Sequence, residues 1–167
     1  CNLLVGLRKG DVITNGIYRY KVTNTMVDGS GEVEVIGFVK GRSAKKVSIP
    51  KSVAWNGIKY NVTSVGTRAF IKNKKIRNIV IPDAVRKIRH KAFYACPNVK
   101  KLTIGKNVSF MGAHAFCLNK KLEKIVFRGT KLKQLRKPHV FIEVKPAKVY
   151  VPKRNYIAYK KMLSDYG

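Results

Sequence analysis

An Ala-Phe pair recurs at one fixed interval along this chain, and that interval limits what the chain can become. Phe70, Phe93 and Phe116 each close such a pair, 23 residues apart. The apolar residues between them keep step: Ile76, Val99 and Leu122, then Ile79, Leu102 and Ile125, then Ile81, Ile104 and Phe127. Val65, Ile88 and Met111 hold the same register. A unit this short cannot enclose a core, so its apolar side chains must be covered by the units above and below. The chain is predicted to be a solenoid.

Within a unit the pattern reads apolar-x-x-apolar-x-apolar, as in Ile76-Arg77-Asn78-Ile79-Val80-Ile81. The final alternation has the period of a half-buried strand. Pro82 or Gly105 ends that strand, and Val85, Ile88, Ala92 and Phe93 carry the chain back across the far side. The period falls in the leucine-rich-repeat range. The fold expected is a right-handed leucine-rich-repeat solenoid of β-rich α/β type, with repeats of ~23 residues and one strand per repeat.

The chain reads as one domain of 167 residues, 45% of them apolar, with an N-terminal β cap over 8–40, repeats over 41–135 and a C-terminal cap over 136–167. Apolar residues around Asn15-Gly16 mark a hairpin from Asp11 to Asn24. Asp28-Gly29-Ser30-Gly31 is the next turn, and Glu32 to Val39 the next strand. Val149-Tyr150-Val151-Pro152 reads as a last strand before a short helix containing Tyr156, Ala158, Tyr159 and Met162. Asn56-Gly57 predicts a further small hairpin in the first repeat. Trp55 and Tyr60 on it could stack on a sugar or a partner side chain, or pack as a structural cross-strand pair.

Val47-Ser48-Ile49-Pro50-Lys51-Ser52-Val53 and Ile79-Val80-Ile81-Pro82-Asp83-Ala84-Val85 form one kind of element. Val65-Gly66-Thr67-Arg68-Ala69-Phe70 and Ala92-Phe93-Tyr94-Ala95-Cys96-Pro97-Asn98-Val99 form another. Together they resemble the BspA-like leucine-rich-repeat proteins, found mostly on bacterial cell surfaces, over about residues 44 to 135. Arg89 departs from the pattern where Gly66 and Gly112 stand, Gly105 replaces the proline, and only Cys96 fills the cysteine slot. The resemblance implies a secreted or surface-attached bacterial protein that engages host, matrix or neighbouring-cell ligands. No signal peptide is visible in this chain. Cys1 to Leu7 could follow one, carry a lipid or mark a boundary.

Charge is the second constraint. The chain holds 36 Lys and Arg against 8 Asp and Glu, a formal net charge of +28. From Val35 to Leu122 the only acidic residue is Asp83. Such a surface attracts polyanions. If Ile79 and Ile81 point inward, Asn78, Val80 and Pro82 point outward. The same columns hold Lys46, Ser48 and Pro50, then Lys101, Thr103 and Gly105, then Lys124, Val126 and Arg128. Stacked lysines ~4.8 Å apart repel by roughly 0.9 kcal/mol in bulk water, so the column carries a modest cost that an anion would relieve. The candidate ligand-binding residues are Lys46, Val80, Lys101, Thr103, Lys124, Val126 and Arg128. Lys72 to Lys75, Lys100-Lys101 and Asn119 to Lys121 read as turns, and Arg86, Lys87, Arg89 and Lys91 as the outer return path.

Catalysis finds little support. His90, His114 and His139 occupy different positions in the repeat and lack metal-ligand spacing, and no phosphate loop or nucleophile elbow appears. Glu32 and Glu34 share a strand face and read as ordinary solvent-facing residues. No cofactor or metal is expected. Three cysteines without close spacing do not make a disulfide framework. Cys96 and Cys117, two places out of register, read as buried core residues rather than a bridge.

The expected function is a non-catalytic binding or adhesion module using the basic outer face of the repeat sheet. Its partners would be a host or matrix protein or an anionic polymer such as a glycan or teichoic acid. Retention on anionic wall polymers by general electrostatics is the alternative. Nucleic-acid binding comes third, because most of the cations are lysines without a recognition motif, and binding to DNA in vitro would be non-specific. No stretch approaches the ~20 apolar residues of a membrane-spanning helix.

Overall fold

The computed structural model describes residues 6–28, 31–135, 140–144 and 147–166. Cys1, Gly29, Ser30 and His139 lie outside the described residues. The chain opens with β1 (Val12–Asn15), β2 (Tyr18–Thr25) and β3 (Gly31–Phe38), an antiparallel run. There follow β4 (Lys46–Ser48), β5 (Ser52–Trp55), β6 (Ile58–Val65), β7 (Asn78–Val80), β8 (Lys87–Ile88) and β9 (Lys101–Ile104). The last elements are β10 (Phe110–Met111), β11 (Lys124–Phe127), β12 (Gln134–Leu135), β13 (Lys148–Tyr150) and the helix α1 (Tyr156–Tyr166).

The strands form two sheets. One has five strands, in the order β13-β11-β9-β7-β4, all parallel. The other has eight, in the order β1-β2-β3-β6-β8-β10-β12, with β5 also on β6. The expectation of one strand per repeat is corrected by this arrangement. Each turn gives a strand to both sheets, β7 with β8, β9 with β10 and β11 with β12. The second strand escaped the pattern because β8 and β10 are two residues long. Each has a single buried residue, Ile88 or Met111, and one residue cannot alternate. The register noted for Val65, Ile88 and Met111 is itself this ladder, Val65 opposite Ile88 and Ile88 opposite Met111.

Between the sheets lies one apolar cluster running from Ile13 to Tyr159. Its columns are the sequence repeats: Val47, Ile79, Leu102 and Ile125 stand in register across four strands. Phe70, Phe93, Phe116 and Phe141 stack with ring centroids 5.1, 5.4 and 5.5 Å apart and planes within 11° of parallel. Such offset pairs add about 0.5–1.5 kcal/mol each beyond the area they bury. Tight turns accompany this stack. Arg68, Lys91 and His114 all sit at φ 53–57°, as do Lys72, Ala95 and Leu118 at 55–61°. Left-handed backbone is unfavourable for residues with a Cβ. Here neighbouring repeats compensate it: the amides of Arg68, Lys91, Lys72 and Ala95 donate to the carbonyls of His90, Ala113, Tyr94 and Cys117.

Both terminal regions are tied to the repeats by polar contacts. Glu34 accepts from Ser64 Oγ and forms an ion pair with Arg89, while Glu32 pairs with Arg86 at 2.6 Å. These carboxylates, read from sequence as ordinary surface groups, therefore fasten β3 to the next repeat. Arg89 fills the glycine slot of the repeat and spends its side chain on this contact. At the far end the Tyr159 hydroxyl donates to the Gly129 carbonyl at 2.7 Å and accepts from the Leu132 amide at 3.3 Å. The Asn15-Gly16 and Asn56-Gly57 hairpins form as the dipeptides dictate.

Candidate functional site

On the five-stranded sheet, buried and outward residues alternate along each strand, so the outward ones form straight columns across it. Lys46, Asn78, Lys101, Lys124 and Lys148 are paired in register, one per strand. Ser48, Val80, Thr103, Val126 and Tyr150 form the next column. The structure thus brings together Lys46, Val80, Lys101, Thr103, Lys124 and Val126. It adds Lys148 and Tyr150, which the period missed. Lys148 follows Lys124 by 24 residues rather than 23, so the fixed interval passes it by. The signal was present as the alternation Lys148-Val149-Tyr150.

The columns are not uniform. Lys46, Lys101 and Lys148 are exposed, whereas Lys124 is half-buried with Nζ 4.8 Å from the centroid of the Tyr150 ring. Arg128 stands apart from the lysines, its Nη1 3.5 Å from Asp83 Oδ1. That carboxylate also accepts from the Lys106 amide. Trp55 and Tyr60 are separated by the fold, which corrects their pairing as one contact surface. Tyr60 is fully buried and its hydroxyl accepts from the Leu7 amide, because residues alternate along β6 and Tyr60 falls on the inward side. Trp55 remains at the surface, opposite Ile58.

The eight-stranded sheet carries an open groove of about 750 Å³ lined by Glu32, Thr63, Arg86, Ser109, Lys131 and Lys133, among others. No repeat column had singled it out, since its residues lie at the turns between the two sheets and beside the two-residue strands. His90 and His114, which are one place out of register, have ring centroids 6.2 Å apart, and His114 Nδ1 lies 3.3 Å from Cys117 Sγ. Cys96 and Cys117 are both free and buried. Burial pushes both thiols up, Cys96 to about 12, so neither is poised as a nucleophile. Among the described residues no group of three or more His, Cys, Asp or Glu side chains gathers. Among them, too, no helix is long and apolar enough to cross a membrane.

The model of the BspA type leucine rich repeat region matches residues 38–164 in six copies. Three solved structures share the fold. A leucine-rich repeat protein from Bacteroides capillosus is 22% identical with a TM-score of 0.70, over 84% of this chain and 98% of that one. A leucine rich cell surface protein from Faecalibacterium prausnitzii is 24% identical with a TM-score of 0.57, over 70% of this chain and 33% of that one. The pneumococcal vaccine antigen PcpA is 20% identical with a TM-score of 0.53, over 89% of this chain and 52% of that one. This chain therefore spans about a third and about half of the latter two. No curated protein matches it.

Proposed function

Because the chain belongs to the BspA-type leucine-rich-repeat family, we propose that it is a non-catalytic binding and adhesion module of a secreted or surface-attached bacterial protein. It recognises a host or matrix protein, or an anionic glycan, through the outer face of the five-stranded sheet. In this reading the solenoid is right-handed with ~23-residue repeats, and 8–40 and 136–167 act as its caps. The observation that carries the proposal is the column of Lys46, Lys101, Lys124 and Lys148, in register beside Val80, Thr103, Val126 and Tyr150. The lysines hold anionic groups, and the neighbouring uncharged column supplies a flat contact surface. Arg128, partnered by Asp83, contributes at the edge of this face.

A second reading is favoured by the net charge of +28 alone. The same field retains the protein on anionic wall polymers without a defined site. One titration separates the two. Binding of a sulfated glycan, a wall teichoic acid, duplex DNA and matrix proteins is measured at low and high salt, for the parent chain and for Lys101→Glu with Lys124→Glu. The sheet face is the site if one ligand survives high salt and the double variant loses it. If every polyanion is released alike with a steep salt slope, general electrostatics is the function. Unchanged binding of that ligand by the double variant removes the sheet face from consideration.

A further inference from the structure

The groove on the eight-stranded sheet has its own chemistry, independent of the lysine column. Its floor is a ladder of backbone hydrogen bonds. The amide of Arg86 donates to the Thr63 carbonyl at 2.9 Å, that of Ser109 to Arg86 at 3.0 Å, and that of Lys133 to Ser109 at 3.0 Å. Thr63, Arg86, Ser109 and Lys133 therefore stand one above another, a hydroxyl and a cation alternating at strand spacings of ~4.8 Å.

The walls are held in place. Lys131 Nζ donates to Asn107 Oδ1 at 2.7 Å, and the Asn107 amide group donates to the Asp83 carbonyl at 2.7 Å. Arg86 spends one Nη on Glu32, and a guanidinium has five N–H donors, so most of its fork still faces the groove. Glu32 places one carboxylate among three cations here. That carboxylate repels a ligand charged at every unit and accepts hydrogen bonds from hydroxyls. The volume of about 750 Å³ falls within the range of about 300–1,000 Å³ usual for small-molecule sites.

We propose that this groove binds an acidic oligosaccharide bearing one carboxylate on every second sugar. An extended pyranose chain advances by about one strand spacing per unit. Laid along the ladder, it sets its carboxylates against Arg86 and Lys133 and its neutral units against Thr63 and Ser109. Lys131, at the rim, reaches the carboxylate nearest Lys133. Nucleic acid and polyphosphate carry charge at every step and meet Glu32.

The probe is a hyaluronan hexasaccharide, titrated calorimetrically at 0.15 M salt against the full chain. A galacturonate hexasaccharide, charged on every sugar, and a neutral chitin hexasaccharide serve as comparisons. The hyaluronan fragment is expected to bind more tightly than either. Lys131→Ala with Lys133→Ala should weaken it about tenfold or more, as loss of charge-assisted hydrogen bonds does. Lys101→Ala with Lys124→Ala removes the same charge from the other sheet and should leave it within about twofold. In the unaltered protein, backbone amide signals of Thr63, Arg86, Ser109 and Lys133 should shift on titration. Equal weakening by both double variants overturns the proposal, as does equal or tighter binding of the galacturonate hexamer. An absence of hyaluronan binding, or shifts confined to the five-stranded sheet, overturns it too.

Discussion

Lys124 holds its ammonium 4.8 Å from the centroid of the Tyr150 ring, reaching across to the neighbouring strand. The same residue stands in register between Lys101 and Lys148, so one attraction opposes two repulsions. A cation over an exposed ring contributes about 0.5–1 kcal/mol. Each neighbouring lysine at ~4.8 Å costs up to ~0.9 kcal/mol in water. Salt decides the balance, because the screening length falls from about 30 Å at 0.01 M to about 3 Å at 1 M. Lys124→Met is therefore expected to be more stable than the parent at 0.01 M salt and less stable at 1 M, by about 0.5–1 kcal/mol each way. Urea denaturation of both proteins at each salt checks it, and the same sign at both salts rejects the account.

The core was legible because its residues repeat: every column from Val47 to Ile125 is a 23-residue echo or a near one, and stacking forces such echoes into contact. The lysine column followed by parity alone, since a strand whose Ile79 and Ile81 face inward must turn Asn78 and Val80 outward. What repetition does not encode could not be read this way. Glu34 meets Arg89 across 55 positions with no periodic partner, and Lys148 and Phe141 shift by one and two places where the chain lengthens near its end. The polar groove was hidden for a related reason. Its hydroxyl and cation neighbours come from strands too short to show a pattern, and Glu32 joins them from a hairpin outside the repeats.

Gly105 stands where the resembling element places proline, and the structure gives a reason for the exchange. A Cβ at this position would lie 2.3 Å from the Pro82 carbonyl oxygen and 2.7 Å from that of Ile81, both backbone atoms that cannot turn aside. The repeats approach too closely here for any side chain. Gly105→Ala is expected to cost about 1–3 kcal/mol, as overpacking does. Gly105→Pro, which would restore the family pattern, should cost at least as much. Thermal and urea unfolding of the two variants measure this, and a Gly105→Pro protein as stable as the parent would show that the contact yields.

Cys96 links packing to alkaline stability. Its side chain is fully buried beneath the Phe stack, and the thiol donates to the Phe70 carbonyl at 3.2 Å. Burial pushes its pKa up to about 12, whereas a thiol in the unfolded chain titrates near ~8.5. The folded state therefore keeps its proton after the unfolded state has lost it. The stability this thiol contributes is fully present below pH ~8.5 and drains away as pH rises towards 12, on the order of 1 kcal/mol per pH unit. Burial likewise raises Tyr18, Tyr20 and Tyr159, which extends the loss beyond pH ~10. Between pH 8 and 10, where the tyrosines are still protonated in both states, Cys96→Ala should lose less stability than the parent. At pH 8 iodoacetamide should leave Cys96 and Cys117 unmodified in the native protein and alkylate both in urea, as read by peptide mass. Rapid native alkylation of Cys96, or a pH slope identical in parent and variant, would show that the thiol meets solvent in the folded chain.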